Sequence, residues 1–153
     1  MITEAVKGIV TMTPEQFVSR KGSPARAGAA LAKLHQSGEI YEFRFELFSM
    51  IDDYLKILST KDVDLPSGYD NVVEAAGPIK EALENADITL APCHCDPLCE
   101  NFLDDGKVMW IIDWEYSGMN DPLWDVGDLS VEAGMDASQE NELLTASFGR
   151  EPT

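Results

Sequence analysis

Two carboxylates and one carboxamide constrain this chain more than anything else in it. Asp96 and Asn101 stand five residues apart in His94-Cys95-Asp96-Pro97-Leu98-Cys99-Glu100-Asn101, and Asp113 follows twelve residues after Asn101, at the end of the apolar run Val108-Met109-Trp110-Ile111-Ile112. Gly106 supplies a turn between the two segments. Asn101-Phe102-Leu103 and the apolar run therefore read as the two strands of a hairpin, the second of them buried. Such a hairpin returns the chain on itself and sets Asn101 beside Asp113 at one end. A fold that honours this pairing brings an amide oxygen and a carboxylate to where one hard cation could share them, since Mg²⁺ takes oxygen ligands in near-octahedral geometry.

At 153 residues the chain is long enough for one core and reads as one domain over 1–153, with an ordinary globular balance of 44% apolar and 25% charged residues. Its formal net charge of −17 argues against a nucleic-acid partner, because phosphate backbones require a basic face. The charge is uneven: Glu81 to Gly149 holds sixteen Asp or Glu against Lys107 alone, whereas Met1 to Lys80 holds eleven acids and nine bases. An acidic second half suits a metal site and a cationic substrate, although most of these residues read as solvated surface. Cys93, Cys95 and Cys99 fall within seven residues, an odd and clustered set unlike a secreted disulfide framework. With His94 they also suggest zinc, but no second ligand pair follows at finger spacing, so reduced thiols in a packed cytoplasmic loop are the better reading. No basic segment followed by an apolar run marks a signal peptide, and no stretch approaches the ~20 apolar residues of a membrane span.

In chain order, Thr13 caps a helix with Pro14 in its first turn and Gln16 placed to complete a capping box. Ser23-Pro24 starts a second helix in the same way, with Ala27, Ala30, Leu31 and Leu34 facing a core and Gly38 ending it. His35, near that end, reads as a packing or capping residue. A third helix is expected over Tyr41–Leu58, with Phe43, Leu47, Phe48, Ile51, Leu55 and Leu58 on one face. A polar loop from Thr60 to Gly68 follows. A fourth helix over Asp70–Asn85 turns Val73, Ala76, Ile79 and Leu83 inward and is kinked or split at Pro78. Ile88–Ala91 reads as a strand entering the His94 loop. Asp121 caps a helix whose Leu123, Val126 and Leu129 face inward, and Ser138–Phe148 is a last helix.

The His94–Asn101 spacing, H-x-D-x-x-x-x-N, resembles the catalytic loop of kinases. The segment Asp113-Trp114-Glu115-Tyr116-Ser117-Gly118-Met119-Asn120-Asp121-Pro122-Leu123-Trp124-Asp125-Val126-Gly127-Asp128-Leu129 is similar to the choline/ethanolamine kinase family, a branch of the aminoglycoside-phosphotransferase-like enzymes. Thr13-Pro14-Glu15 and Ala30–His35 resemble the segment that follows the hinge in these kinases, which would put Ile2–Val6 near the hinge. The resemblance implies an α+β, mostly α fold: a protein-kinase-like C-terminal lobe whose β-hairpin carries the catalytic and metal residues, without the nucleotide lobe and the last helices. It implies an ATP- and Mg²⁺-dependent phosphotransferase acting on the hydroxyl of a small cationic alcohol such as choline or ethanolamine. Asp96 would be the base, Asn101 and Asp113 the metal ligands, and Asp125 a brace on the catalytic loop's backbone. His94, Trp114 and Glu115 would support the site or meet the substrate, an aromatic face being able to hold a quaternary ammonium.

Met1–Val10 contains no glycine-rich phosphate loop and no strand bearing a phosphate-binding Lys. That leaves two alternatives open: a kinase-like module without activity, or a kinase for another small molecule such as an aminoglycoside, thiamine or homoserine. Apolar surface left uncovered near the hairpin would favour a homodimer.

Overall fold

The computed structural model describes residues 8–149, so Ile2–Val6 and the tail from Arg150 lie outside the described residues. Those described fall into two compact units, residues 8–44 with 90–149, and Phe45–Thr89. The first unit begins with β1 (Val10–Thr11), α1 (Pro14–Ser19) and α2 (Ser23–His35). The second holds α3 (Leu47–Ser59) and α4 (Tyr69–Glu84). The chain then re-enters the first unit as β2 (Ala91–Cys93), a single 3₁₀ turn at Cys99–Asn101, β3 (Phe102–Asp104), β4 (Met109–Ile111), β5 (Gly118–Asn120), α5 (Pro122–Glu132) and α6 (Ala137–Phe148).

The sheets are small. The expected hairpin is β3 with β4, antiparallel, with Phe102 opposite Ile111 and Asp104 opposite Met109, and β1 adds to its other edge. A second antiparallel pair joins β2 to β5, with Cys93 opposite Gly118. In the apolar run only Met109 is buried, while Val108 and Ile112 are exposed. The run is therefore a half-buried strand rather than a buried one.

Met12, Phe17, Ala27, Leu31, Phe102, Leu129 and Leu143 form the centre of the core of the first unit. Phe17 and Phe102 meet edge to face with ring centroids 5.8 Å apart, a favoured aromatic geometry. Helix α2 packs on α6 closely enough to need a glycine. A Cβ at Gly28 would sit 2.5 Å from the Leu143 carbonyl oxygen and 2.8 Å from Ala146 Cβ. Gly28→Ala would gain about 1 kcal/mol of helix propensity, but the obstacle is backbone, and overpacking of this kind costs about 1–3 kcal/mol. We expect a net loss, read as a lower urea midpoint; an unchanged or higher midpoint would show that the helices separate freely.

The most heavily bonded buried ion in this unit is Asp104. Its Oδ2 accepts from Arg20 Nε at 2.9 Å and Arg26 Nη2 at 2.7 Å, and its Oδ1 from Arg26 Nε at 2.8 Å and the Gly106 amide at 3.0 Å. Burial alone would raise its pKa, but the hydrogen bonds from Arg26, Gly106 and Arg20 outweigh that and hold the carboxyl below its usual range. A depressed folded pKa gives stability that is complete above the unfolded value, about 3.9, and is lost as pH falls through the folded one. Asp104→Asn is expected to cost about 2–3 kcal/mol at pH 7, since removing one partner strands two arginines that are only partly exposed. It should also flatten the loss of stability below pH 4. Urea melts at pH 7 and pH 3 check this, and an unaltered slope would show that another carboxylate governs acid unfolding.

Several local expectations change. Ser23 is not a cap: Gly22 precedes α2 with φ +70°, and the Ser23 hydroxyl reaches back to the carbonyls of Phe17 and Arg20. Thr13 does cap α1, but the Gln16 side-chain oxygen has no hydrogen-bond partner, so the box is half formed. Helix α3 starts at Leu47 rather than Tyr41 because the preceding segment is extended, with the Phe43 carbonyl accepting from the Met119 amide at 2.9 Å. Helix α4 runs unbroken through Pro78. Neither α3 nor α4 contains a buried residue, so the inward faces expected of them are not buried. The strand before the His94 loop begins at Ala91, three residues later than expected. Val126 and Leu129 face the core while Leu123 is exposed.

Candidate active site

The site is built on the loop between β2 and the 3₁₀ turn, on the end of the β3–β4 hairpin, and on the first turns of α5. Asp121 caps α5 by accepting the Leu123 amide at 2.9 Å, and Pro122 fills the first helical position. One turn on, Asp125 is fully buried. Its Oδ2 accepts the His94 amide and its Oδ1 the Cys95 amide, both at 2.8 Å. His35 Nε2, at the end of α2, donates to the same Oδ2 at 2.9 Å. Three donors thus fix one carboxylate, and the carboxylate fixes the loop.

This fixing matters because Cys95 has φ +68°. A side chain with a Cβ pays a steric penalty in that region, and such residues persist only where the surroundings hold them. Cys95 is held on both sides, since its carbonyl also accepts the Trp124 indole N–H at 3.3 Å. The next residue is Asp96, which is half-buried. Among the described residues the other non-glycine one with positive φ is Asp113, at +67°. The carbonyl before it, on Ile112, accepts from His94 Nε2 at 2.8 Å. The buried His94 is therefore pinned through its backbone to Asp125 while its ring pins the approach to Asp113. Its ring also meets Trp114 edge-on, with centroids 5.0 Å apart.

Asn101 closes the arrangement. Its side-chain nitrogen donates to the Asp96 carbonyl at 2.9 Å, and its own carbonyl accepts the Ile112 amide at 2.9 Å. With the nitrogen committed, the amide oxygen is the atom left for a ligand. Asp96 and Asn101 are thus hydrogen-bonded to one another, and Asn101 is bonded through its backbone to Ile112, the residue before Asp113. Asp113 is exposed and accessible to a cation. An amide oxygen and carboxylate oxygens are the donor types Mg²⁺ takes, so these residues fit that ion. Glu115 is exposed beyond the hairpin end.

The thiols are poorly suited to act as nucleophiles. Cys93, Cys95 and Cys99 are buried and unpaired with one another. Burial, then the Asp125 charge, pushes Cys95 up to about 12; burial, then Glu100, does the same to Cys99; Cys93 is raised further still. All three stay protonated at neutral pH and are poor nucleophiles.

Sequence reasoning overlooked two residues. His35 reads from the sequence as a packing or capping residue, and its partner, Asp125, lies ninety positions away. Asp128, one turn after Asp125 on α5, has its carboxyl pKa raised by burial and then by Glu132, Asp96 and Asp125. It stands in the family-like segment Asp113–Leu129 three residues after Asp125, but no role follows for it from the sequence. His35, Cys93 and Asp125 also bring ligand-type atoms within 4.8 Å of one another, but Asp125 is already taken up by the donors described above.

Comparison with known proteins gives this geometry its context. The model of the phosphotransferase enzyme family matches residues 1–152. Protein LicA of Haemophilus influenzae is 34% identical over 116 residues, covering 74% of this chain and 34% of the relative. The crystal structure of a choline/ethanolamine kinase family protein from Mesorhizobium loti matches with a TM-score of 0.90 at 62% identity, over 99% of this chain and 52% of that one. The choline kinase LicA from Streptococcus pneumoniae, at 24% identity, shares the fold with a TM-score of 0.80 over 94% of this chain and 50% of that one. The chain thus spans about half or less of the length of the relatives it matches. It belongs to the phosphotransferase enzyme family, and its mostly helical fold with small sheets is the one found in the choline/ethanolamine kinase structures it resembles.

Proposed function

We propose that this chain carries the acceptor-binding and metal-binding half of an ATP-dependent kinase for a small cationic alcohol, choline or ethanolamine being the best candidates. One observation carries the reading. The two left-handed residues of the site, Cys95 just before Asp96 and Asp113 itself, are both held through His94 and Asp125. Strain of this kind is maintained where side chains must be aimed.

Asp96 would accept the proton of the substrate hydroxyl as that oxygen bonds to the γ-phosphorus and ADP departs. Asn101 and Asp113 would hold Mg²⁺, which when bound offsets the charge of the nucleotide phosphates. The acidic second half of the chain and the half-exposed Trp114 suit a cationic group, the first by long-range field and the second by its ring face. A structure of LicA in complex with AMP, at 27% identity, is consistent with a nucleotide co-substrate. No helix of the described residues is long and apolar enough to cross a membrane, and the buried unpaired thiols suit a reducing, cytoplasmic setting.

The test is ADP release from ATP with choline, ethanolamine, thiamine, an aminoglycoside and homoserine, by the chain alone and by the chain joined to the part of the Mesorhizobium loti relative that it does not match, the completed form. The completed form should prefer choline or ethanolamine. The chain alone should be slow, because positioning supplies much of the rate in phosphoryl transfer. A clear preference for homoserine would overturn the substrate assignment.

A further inference from the structure

Every polar atom of Cys95 meets a partner from the stretch between Gly118 and Asp125. Its amide donates to Asp125 Oδ1 at 2.8 Å, and its carbonyl accepts the Trp124 indole N–H at 3.3 Å. Its sulfur lies 4.0 Å from the Gly118 carbonyl and 3.9 Å from the Asn120 side-chain nitrogen. The amide bond restrains rotation on the N-terminal side of the Cys95 Cα, and the indole bond restrains it on the C-terminal side. The two restraints differ in what they control. The Cys95 carbonyl and the Asp96 amide share one planar peptide unit. Whatever orients that carbonyl therefore also orients the Cα from which the Asp96 side chain leaves.

The other side of Asp96 is held separately. Its carbonyl accepts the Leu98 amide and the Asn101 side-chain nitrogen, both at 2.9 Å. The peptide planes flanking Asp96 are thus both fixed, one from within the loop and the other by an indole from α5. Cys95 is almost fully buried, and among the described residues the indole is the donor its carbonyl has. Without that N–H the carbonyl would turn toward another donor, since buried backbone groups are paired, and the Asp96 plane would turn with it. The indole itself is steady, because Trp124 stands in the capped first turn of α5 with its amide bonded to the Asp121 carbonyl at 2.9 Å. A phenyl ring at this position would fill the same space but offer no donor. We infer that Trp124 is a positioning residue: its indole N–H, acting through the Cys95 carbonyl, sets the peptide plane that aims Asp96. This rests on the reading of Asp96 as the base, but the geometry can be observed without turnover.

Trp124→Phe tests it, because the ring stays and only the N–H is lost. In the completed form kcat should fall about tenfold, since a small misplacement of a reacting group is costly in rate. KM for ATP and for the alcohol should stay within about twofold, the loss falling on the reacting state rather than on binding. The urea midpoint should hardly move. In the isotopically labelled chain alone, the variant should shift the signals of the Cys95 carbonyl carbon and the Asp96 amide, while the His94 amide, bonded to Asp125, changes little. The wild-type indole N–H should exchange with water more slowly than an exposed one. An unchanged kcat, or a rise in KM alone, would overturn the inference. So would a lowered urea midpoint with shifts spread evenly over α5 and the core, which would make Trp124 a space-filling ring. Should the completed wild type release no ADP with any acceptor, the functional reading falls by itself. An unshifted Cys95 carbonyl in the variant, or a fast-exchanging indole in the wild type, would still overturn this one.

Discussion

Asp96→Asn is expected to reduce phosphoryl transfer by the completed enzyme at least a hundredfold, with no loss of fold. The amide keeps the size and shape of the carboxylate but cannot take the hydroxyl proton, and a positioned general base is worth roughly 10²–10⁴ in rate. Stability should stay within about 0.5 kcal/mol of wild type, because the Asp96 side chain is only half-buried and the bonds that tie this residue to Leu98 and Asn101 run through its backbone carbonyl. Metal binding should be retained for the same reason. Turnover and urea unfolding measured on one preparation separate the two effects. Activity within a few-fold of wild type would remove Asp96 as the base.

Asp125→Ala should be the most damaging single change to the site, although Asp125 is fully buried and has no exposed surface to offer a substrate. It removes the acceptor of the His94 and Cys95 amides and of His35 at once. A buried donor left without a partner costs about 1–3 kcal/mol, and Cys95 would also lose one of the bonds that keep it left-handed. We expect a stability loss of about 3–5 kcal/mol, together with a rate loss of at least a hundredfold from misplacement of Asp96. Amide hydrogen exchange distinguishes loss of aim from general loosening. His94 and Cys95 should exchange at least tenfold faster, while the Ile112 amide, bonded to Asn101 across the hairpin, should change little under conditions where the variant is still folded. Equal acceleration at all three would mean that Asp125 only supports the core.

What could be read from the sequence was mostly what a few neighbouring residues decide. Thr13 and Asp121 act on amides two or three positions away, so their caps were legible, and Gly106 between two short strand-like runs was enough to indicate the hairpin. The misreadings share a different cause. Ser23 looked like a cap because its competing partners, the carbonyls of Phe17 and Arg20, belong to the turn before it. Residues 41–46 carry apolar spacing suited to a helix, but Met119, more than seventy positions later, holds the chain extended there. Of the two outcomes expected at Pro78, a break does not occur, since α4 continues through it from Tyr69 to Glu84. In the site, the spacing of Asp96, Asn101 and Asp113 suggested one metal-binding end of a hairpin. The backbone conformations that aim them, and the reach of His35 from α2 to Asp125, depend on contacts no local pattern encodes.

The central claim, that Asn101 and Asp113 present a divalent metal to the loop bearing Asp96, is tested most directly by titrating the isotopically labelled chain with Mn²⁺ as a paramagnetic stand-in for Mg²⁺. Amide signals should broaden first around Asn101 and Asp113 and then at Asp96, and Asp113→Ala should abolish that focus while leaving the spectrum otherwise folded. Broadening centred on His35, Cys93 and Asp125, or spread evenly over the acidic surface and unaffected by Asp113→Ala, would contradict the account.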